Sequence, residues 1–281
     1  MLNLLRSILR SFSRHNMGDR AALSAYYLLF AALPLLVAML DGLMVLGLEG
    51  AVGSLLLIIG DAMPRDLAQV FEDELLRLAG GGSSQRAVIG VLASLLAGHR
   101  AVETLVRGVG VAWGAQERRN LKDKLLAFGL TLAILLAVVG ALLLIAVGAW
   151  ALTMARVNGW LSPRAVVGLA TLRWVVVILL VHGGINLLYR SADRPASINR
   201  VLTRGSALAT AGWLAVNKGL QVYMERITDL GATYGSLGTA IGLLSYGYLL
   251  AFCVLLGAEL DATRFRRRLT DAGPGAPKPA G

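Results

Sequence analysis

The sequence predicts an all-α integral membrane protein: a bundle of six transmembrane helices, with an N-terminal amphipathic interfacial helix and an external amphipathic helix. Three observations carry this reading. Of 281 residues, 56% are hydrophobic, mean hydropathy is +0.67 and only 16% are charged, against about 25% charged in soluble domains. The apolar residues gather into six runs, each long enough for the roughly 20 residues that a bilayer core requires. Basic residues fall mainly in alternate connecting loops. The runs are rich in Leu, Ala, Val and Gly and lack the ten-residue dyad alternation of a barrel, so helices are left to satisfy the backbone in lipid.

Residues 1–20 open the chain as an amphipathic helix. Leu2, Leu5, Leu9 and Phe12 share one face, while Arg6, Arg10 and Arg14 recur on the other, a pattern suited to the cytoplasmic leaflet. No continuous apolar core precedes residue 15, so no cleavable signal peptide is expected. Span one, 21–48, contains Pro34 after Tyr26 and Tyr27, where a kink is expected. The external segment, 49–85, follows. Pro64 opens a short helix in which Leu67, Val70, Phe71, Leu75 and Leu78 form the apolar face and Asp66, Glu72, Asp73 and Glu74 the acidic one. Gly80, Gly81 and Gly82 end it. Such a segment is too short to hold a catalytic domain. Spans two to six are read at 86–113, 125–153, 165–188, 201–226 and 235–260, giving a membrane domain of 21–262. Residues 263–281 form a basic and then Pro- and Gly-rich tail, expected to be disordered.

Seventeen of the 27 basic residues lie on the side of the two termini, five on the other side and five within spans. The positive-inside rule then places both termini in the cytoplasm and 49–85 outside. The net charge of +10 is accounted for by topology and anionic membrane lipids, and no nucleic-acid partner is needed. Cys253 is the single cysteine, which excludes an intramolecular disulfide. His15, His99 and His182 are too scattered for a metal motif, no phosphate-binding glycine loop is present, and no cofactor is expected.

Ionisable groups at mid-span cost about 2.5–3.5 kcal/mol each on insertion scales, so each one calls for a reason. Span two holds His99, Arg100, Glu103 and Arg107; span four holds Arg173, His182 and Asn186; span five holds Asn217, Lys218 and Gln221. Arg107 and Glu259 lie near the cytoplasmic face, where snorkelling or local pairing suffices, and Asp41 is interfacial. The candidate substrate cavity comprises Arg100, Glu103, Arg173, Asn186, Asn217, Lys218 and Gln221. Three deep cations against one deep carboxylate would favour an anion or a phosphate headgroup if they shared a cavity; internal salt bridges are the competing explanation. Ala207, Ala211, Ala215 and Gly219 recur every four residues, as do Gly238 and Gly242, and such stripes let helices approach closely. No catalytic or metal-binding residues stand out.

The carboxy-terminal third carries Tyr234-Gly235-Ser236-Leu237-Gly238, Tyr246, Tyr248 and Leu256-Gly257-Ala258-Glu259-Leu260-Asp261-Ala262. Before them stand Tyr189-Arg190, Asp193-Arg194-Pro195 and Gly205, and earlier the run to Pro34, His99-Arg100-Ala101-Val102 and Trp113-Gly114 with Glu117-Arg118. In these residues the chain resembles the YihY/BrkB family of bacterial inner-membrane proteins, historically labelled ribonuclease BN. It departs at Ser245-Tyr246, at Ser191-Ala192-Asp193 and at Val109-Gly110-Val111, where the family often has Trp, Leu-Pro-Asn and Asn. The resemblance implies six spans, cytoplasmic termini and a transporter, with Pro34, Tyr234, Gly235, Gly238, Gly242, Gly257 and Glu259 as motif or packing positions. The function expected is a transporter or flippase-like protein for an anionic or amphiphilic substrate such as a lipid. The alternative is a non-transporting envelope scaffold or virulence-associated factor. A ribonuclease is least favoured, because phosphodiester hydrolysis calls for clustered carboxylates or a placed acid and base, and here the acids are dispersed.

Overall fold

The computed structural model describes residues 2–62, 83–115, 121–192, 203–226 and 230–271. These form eight helices: α1 (Leu2–Arg14), α2 (Met17–Val45), α3 (Glu49–Ala62), α4 (Ser84–Trp113), α5 (Leu121–Val157), α6 (Pro163–Ser191), α7 (Arg204–Arg226) and α8 (Leu230–Asp271). Among the described residues, five candidate membrane spans are long and apolar enough to cross a bilayer: α2, α4, α6, Phe128–Val157 of α5 and Ile241–Arg268 of α8. The chain is thus an all-helical, multi-pass membrane protein. The expected fifth span, 201–226, forms helix α7, whose 23 residues reach about 35 Å at 1.5 Å per residue. With Arg204, Asn217 and Lys218 along it, α7 is not one of the five apolar spans.

Local signals set the helix ends. Asn16 adopts the left-handed region, φ 50°, and turns the chain from α1 into α2 two residues after Arg14. At the end of α4 Gly114 has φ 77°; its N–H donates to the carbonyl of Val111 and that of Ala115 to Gly110, the paired closure of a left-handed helix stop. Ser162 caps α6 by accepting from the N–H of Ala165 at 3.3 Å, with Pro163 at the first helical position, where its missing N–H costs nothing.

Helices α2 and α4 run side by side, and α8 packs on both. A Cβ on Gly90 would stand 2.6 Å from the Pro34 carbonyl oxygen and 2.9 Å from Ala38 Cβ, so the glycine is what lets α4 approach the proline turn of α2. Helix α7 lies along α8, while α5 and α6 form a second pair. One core cluster gathers Met17, Leu105, Val109, Ile185, Tyr189 and Leu255 at the end of the bundle where α1 lies, here the near end. A second gathers Leu40, Leu43, Ala51, Leu55 and Ala146 at the far end.

Three expectations are corrected. Residues 49–62 are not loop: Ala51, Val52 and Leu55 are buried against α2 and α5, and the Trp150 ring lies on Gly50. At 14 residues α3 is about 21 Å long, too short to span, which is why its apolarity read as a connection. The helix expected from Pro64 lies outside the described residues. The basic start of the tail is helical, since α8 continues to Asp271 with Thr263 buried; 272–281 lie outside the described residues. The stripe Ala207, Ala211, Ala215 and Gly219 faces outward and is exposed, while Gly205, Ser206, Ala209 and Thr210 are the buried face of α7.

Helix α1 is only partly an interfacial element. Ile8 is buried, and Phe12 packs on Phe252 with ring centroids 4.7 Å apart. Leu9 remains 55% exposed and is free to enter lipid.

Candidate functional site

The polar groups concentrate at the near end. Glu259 on α8 is fully buried. One carboxylate oxygen meets His15 Nδ1 from the turn between α1 and α2, and the other forms an ion pair with Arg266 Nη2 at 3.5 Å. A carboxylate out of water is costly unless paired, and here His15 comes from a segment that the contact fastens to α8, while Arg266 stands two turns along α8 itself. Arg266 reaches further: Nη1 donates to the Ala112 carbonyl at 2.7 Å, and Nη2 to Ser11 Oγ at 3.3 Å. One guanidinium therefore ties α8 to α1 and to the last turn of α4, whose end carbonyls have no helical partner.

Beside it α6, α7 and α8 meet. Gly205 donates its backbone N–H to Asp261 Oδ1 at 2.8 Å, and the Tyr189 hydroxyl donates to the Val254 carbonyl at 2.5 Å. A Cβ on Gly205 would fall 2.1 Å from the Gly257 carbonyl oxygen, and one on Gly257 2.4 Å from that of Gly205. Gly257 is thus the close-packing glycine of α8. At Gly242 an added Cβ meets no atom of the described residues within 4 Å, and side chains just before it in α8 lie outside the described residues. Tyr234, Gly235 and Gly238 lie in α8 with their side-chain surroundings outside the described residues, as does the Gln221 side chain in α7.

The deep residues are directed to different neighbours. Arg100 is 63% exposed and bonds Glu103 at 3.4 Å; Arg107 bonds the same carboxylate at 2.5 Å. All three line one exposed face of α4. Arg173 donates from Nη1 to the Ile145 carbonyl on α5 at 3.3 Å. Asn217 accepts from the Tyr246 hydroxyl at 3.0 Å, joining α7 to α8, and Lys218 beside it is exposed. Asn186 is buried in the core cluster with its amide donating to the His182 carbonyl. At the far end Asp41, 1% exposed, accepts from Arg86 Nη2 at 3.0 Å, from Arg86 Nε at 3.2 Å and from the Ser83 N–H at 3.0 Å. It is buried near the far end of α2, because Arg86 and the start of α4 close over it.

A family model described as virulence factor BrkB matches residues 8–280. The chain belongs to the BrkB family. It is similar to a ribonuclease-like protein, YfkH, of Bacillus subtilis (strain 168), at 25% identity over 275 residues, covering 97% of this chain and 99% of that protein. No solved structure matches it at a significant level.

In this BrkB-family protein the motif fragments that stand far apart in sequence assemble at one place. Tyr189, Gly205, Gly257, Glu259 and Asp261 build the near-end junction of α6, α7 and α8. Sequence reasoning missed His15 as the partner of Glu259, and Arg86 as the partner of Asp41. A buried acid obliges a cationic partner, which signals that one exists but not which. Glu259 was expected to be held locally or to snorkel; it pairs locally with Arg266 and also with His15, 244 positions away.

Proposed function

We propose that this chain crosses the bacterial inner membrane six times with both termini in the cytoplasm, and moves an anionic amphiphile, of the phospholipid kind, along the exposed charged face of α4. The observation that carries the reading is Arg100. It lies sixteen residues from Ser84 and thirteen from Trp113, so about 20 Å or more from either end of the helix, yet it is 63% exposed on the outside of the bundle. Glu103 is shared between Arg100 and Arg107, which leaves a net positive charge on this face. Bare hydrocarbon is a poor medium for it; a passing phosphate headgroup with its own water is a good one. The exposed Lys218 of α7 adds a second deep cation. The seventeen of 27 basic residues that the sequence puts in the loops and tails on the side of the termini support the orientation.

Among the described residues, the acids within the bundle give no support to the ribonuclease reading that the relative's name raises. Asp41, Glu103 and Glu259 are each held by arginine, and Asp261 by a backbone N–H.

The test is transbilayer movement of a fluorescent anionic phospholipid in vesicles carrying the purified protein, followed by quenching of the outer leaflet. Arg100→Gln and Arg107→Gln should each slow it at least about tenfold, the loss of one charge-assisted contact of roughly 1.5–3 kcal/mol, while melting stays near wild type. Unchanged rates would overturn the proposal. If Arg100→Gln lowers stability and Glu103→Gln restores it, the charges are structural and the scaffold reading stands.

A further inference from the structure

Arg20 sits three residues into α2, about 4.5 Å from its near end. Its stem lies on α4: Cδ is 3.6 Å from where a Cβ on Gly108 would stand, so the guanidinium is held at the seam between the two helices. Its Nε is buried there and meets no acceptor. The buried and half-buried acids of this end are engaged elsewhere. Glu259 is held by His15 and Arg266, Glu103 by Arg100 and Arg107, and Asp261 takes the Gly205 N–H. Asp19 is exposed and adjacent in sequence, and adjacent positions on a helix do not face each other. A buried donor on a charged group is costly when it finds no acceptor, so this fork of donors calls for an anionic acceptor from outside the chain.

From Arg20 toward the far end, α2 turns Leu23, Tyr26, Phe30 and Leu33 outward, and all four are exposed. Steps of three, four and three residues place them in one stripe. The Tyr26 ring packs on that of Phe30 with centroids 4.8 Å apart, which makes the middle of the stripe a continuous apolar wall. Arg20 and Phe30 are ten residues apart, about 15 Å along the helix. That is half of the roughly 30 Å hydrocarbon core, the depth of one leaflet. A cation heading an apolar stripe one leaflet long matches an amphiphile with an anionic head.

We propose that Arg20 and this stripe of α2 bind one anionic phospholipid of the near leaflet. Its phosphate oxygens accept from the Arg20 guanidinium, whose planar fork suits two oxygens of one phosphate. One acyl chain runs along Leu23, Tyr26 and Phe30. An inorganic anion would answer the charge and leave the stripe unused, so the occupant is a lipid. Because α4 already holds the Arg20 stem at Gly108, little ordering is left to pay for when the headgroup arrives. The site is separate from the exposed charged face of α4, and it stands on binding alone, whether or not any lipid crosses the membrane.

The test is thermal melting of the purified full chain in a mild detergent, with and without dioleoyl phosphatidylglycerol, alongside native mass spectrometry of retained lipid. A ligand of the folded state raises melting by an amount that its affinity sets. Wild type should melt higher with the lipid and retain one molecule of it. Arg20→Gln should melt as wild type without lipid and bind the lipid at least about tenfold more weakly, the loss of one charge-assisted contact. Phe30→Ala should weaken binding of the dioleoyl lipid more than that of the dihexanoyl one, whose chains stop short of Phe30. Arg6→Gln and Arg10→Gln, exposed on α1, are the controls and should bind as wild type. Wild-type binding by Arg20→Gln overturns the proposal. So does an equal loss in the α1 variants, which is general attraction to a basic surface, or a melting shift that inorganic phosphate reproduces. If Arg20→Gln does not fold, Arg20→Lys decides: weaker lipid binding supports the fork, and wild-type binding overturns it.

Discussion

Replacing Gly257 by alanine should be among the most damaging single-methyl additions in this chain. The new Cβ would sit 2.4 Å from the Gly205 carbonyl oxygen and 2.5 Å from the Tyr189 hydroxyl, about 1 Å inside the 3.4 Å at which ordinary contact begins. The first of these is backbone, so relief requires α7 and α8 to separate. Separation stretches the Gly205 N–H to Asp261 bond and the Tyr189 to Val254 bond. Overpacking of this kind costs about 1–3 kcal/mol, and each weakened hydrogen bond about 1 kcal/mol more. The sum, roughly 3–5 kcal/mol, is a factor of about a hundred or more in the folded population. Gly205→Ala should behave alike, since its Cβ falls 2.1 Å from the Gly257 oxygen. Gly242→Ala is the control: open space surrounds it among the described residues, and alanine favours the helix by about 1 kcal/mol. Thermal melting and monodisperse yield in one detergent read all three variants. If Gly205→Ala and Gly257→Ala melt with Gly242→Ala, the two helices do not cross at these glycines, and the reasoning fails.

Two further outcomes follow from the far end and from the charge pattern. Arg86→Ala leaves the 1%-exposed Asp41 without its guanidinium and should cost about 3 kcal/mol, while Asp41→Asn with Arg86→Gln should cost less than the single change; equal melting losses would show that the pair is not coupled. With Cys253→Ser as background, a cysteine at the exposed Ser84 should react with an impermeant thiol reagent in intact spheroplasts, and labelling only after lysis would reverse the orientation.

The spans were legible because bilayer length is written directly into apolar run length. What hydropathy does not encode is azimuth. Helix α7 carries small residues on several faces, so the four-residue repeat of Ala207, Ala211 and Ala215 was as regular as the buried Gly205 and Ala209 on the other side. The depth of Arg100 and Arg173 was readable for the same reason that their direction was not: one turns out from α4, the other to a carbonyl of α5. Helix α3 escaped because 14 residues, little more than half of them apolar, fit a loop or a half-length helix equally well. The pairing of His15 with Glu259, and of Arg86 with Asp41, depends on which helix ends meet, and no local pattern states that.

The Arg266 and Glu259 contacts also bear on the order of assembly. They link positions separated by 154, 244 and 255 residues. Chain synthesis must therefore pass the last span before α1 can dock, and until then His15 and Ser11 wait without partners. Contacts of such separation form late, and chains awaiting them are the aggregation-prone ones. A chain that stops short of Arg266 keeps every apolar run up to that point, yet its first helix has nothing to close onto. Docking of α1 is thus a late event in assembly, because its anchors Glu259 and Arg266 both lie on the last helix.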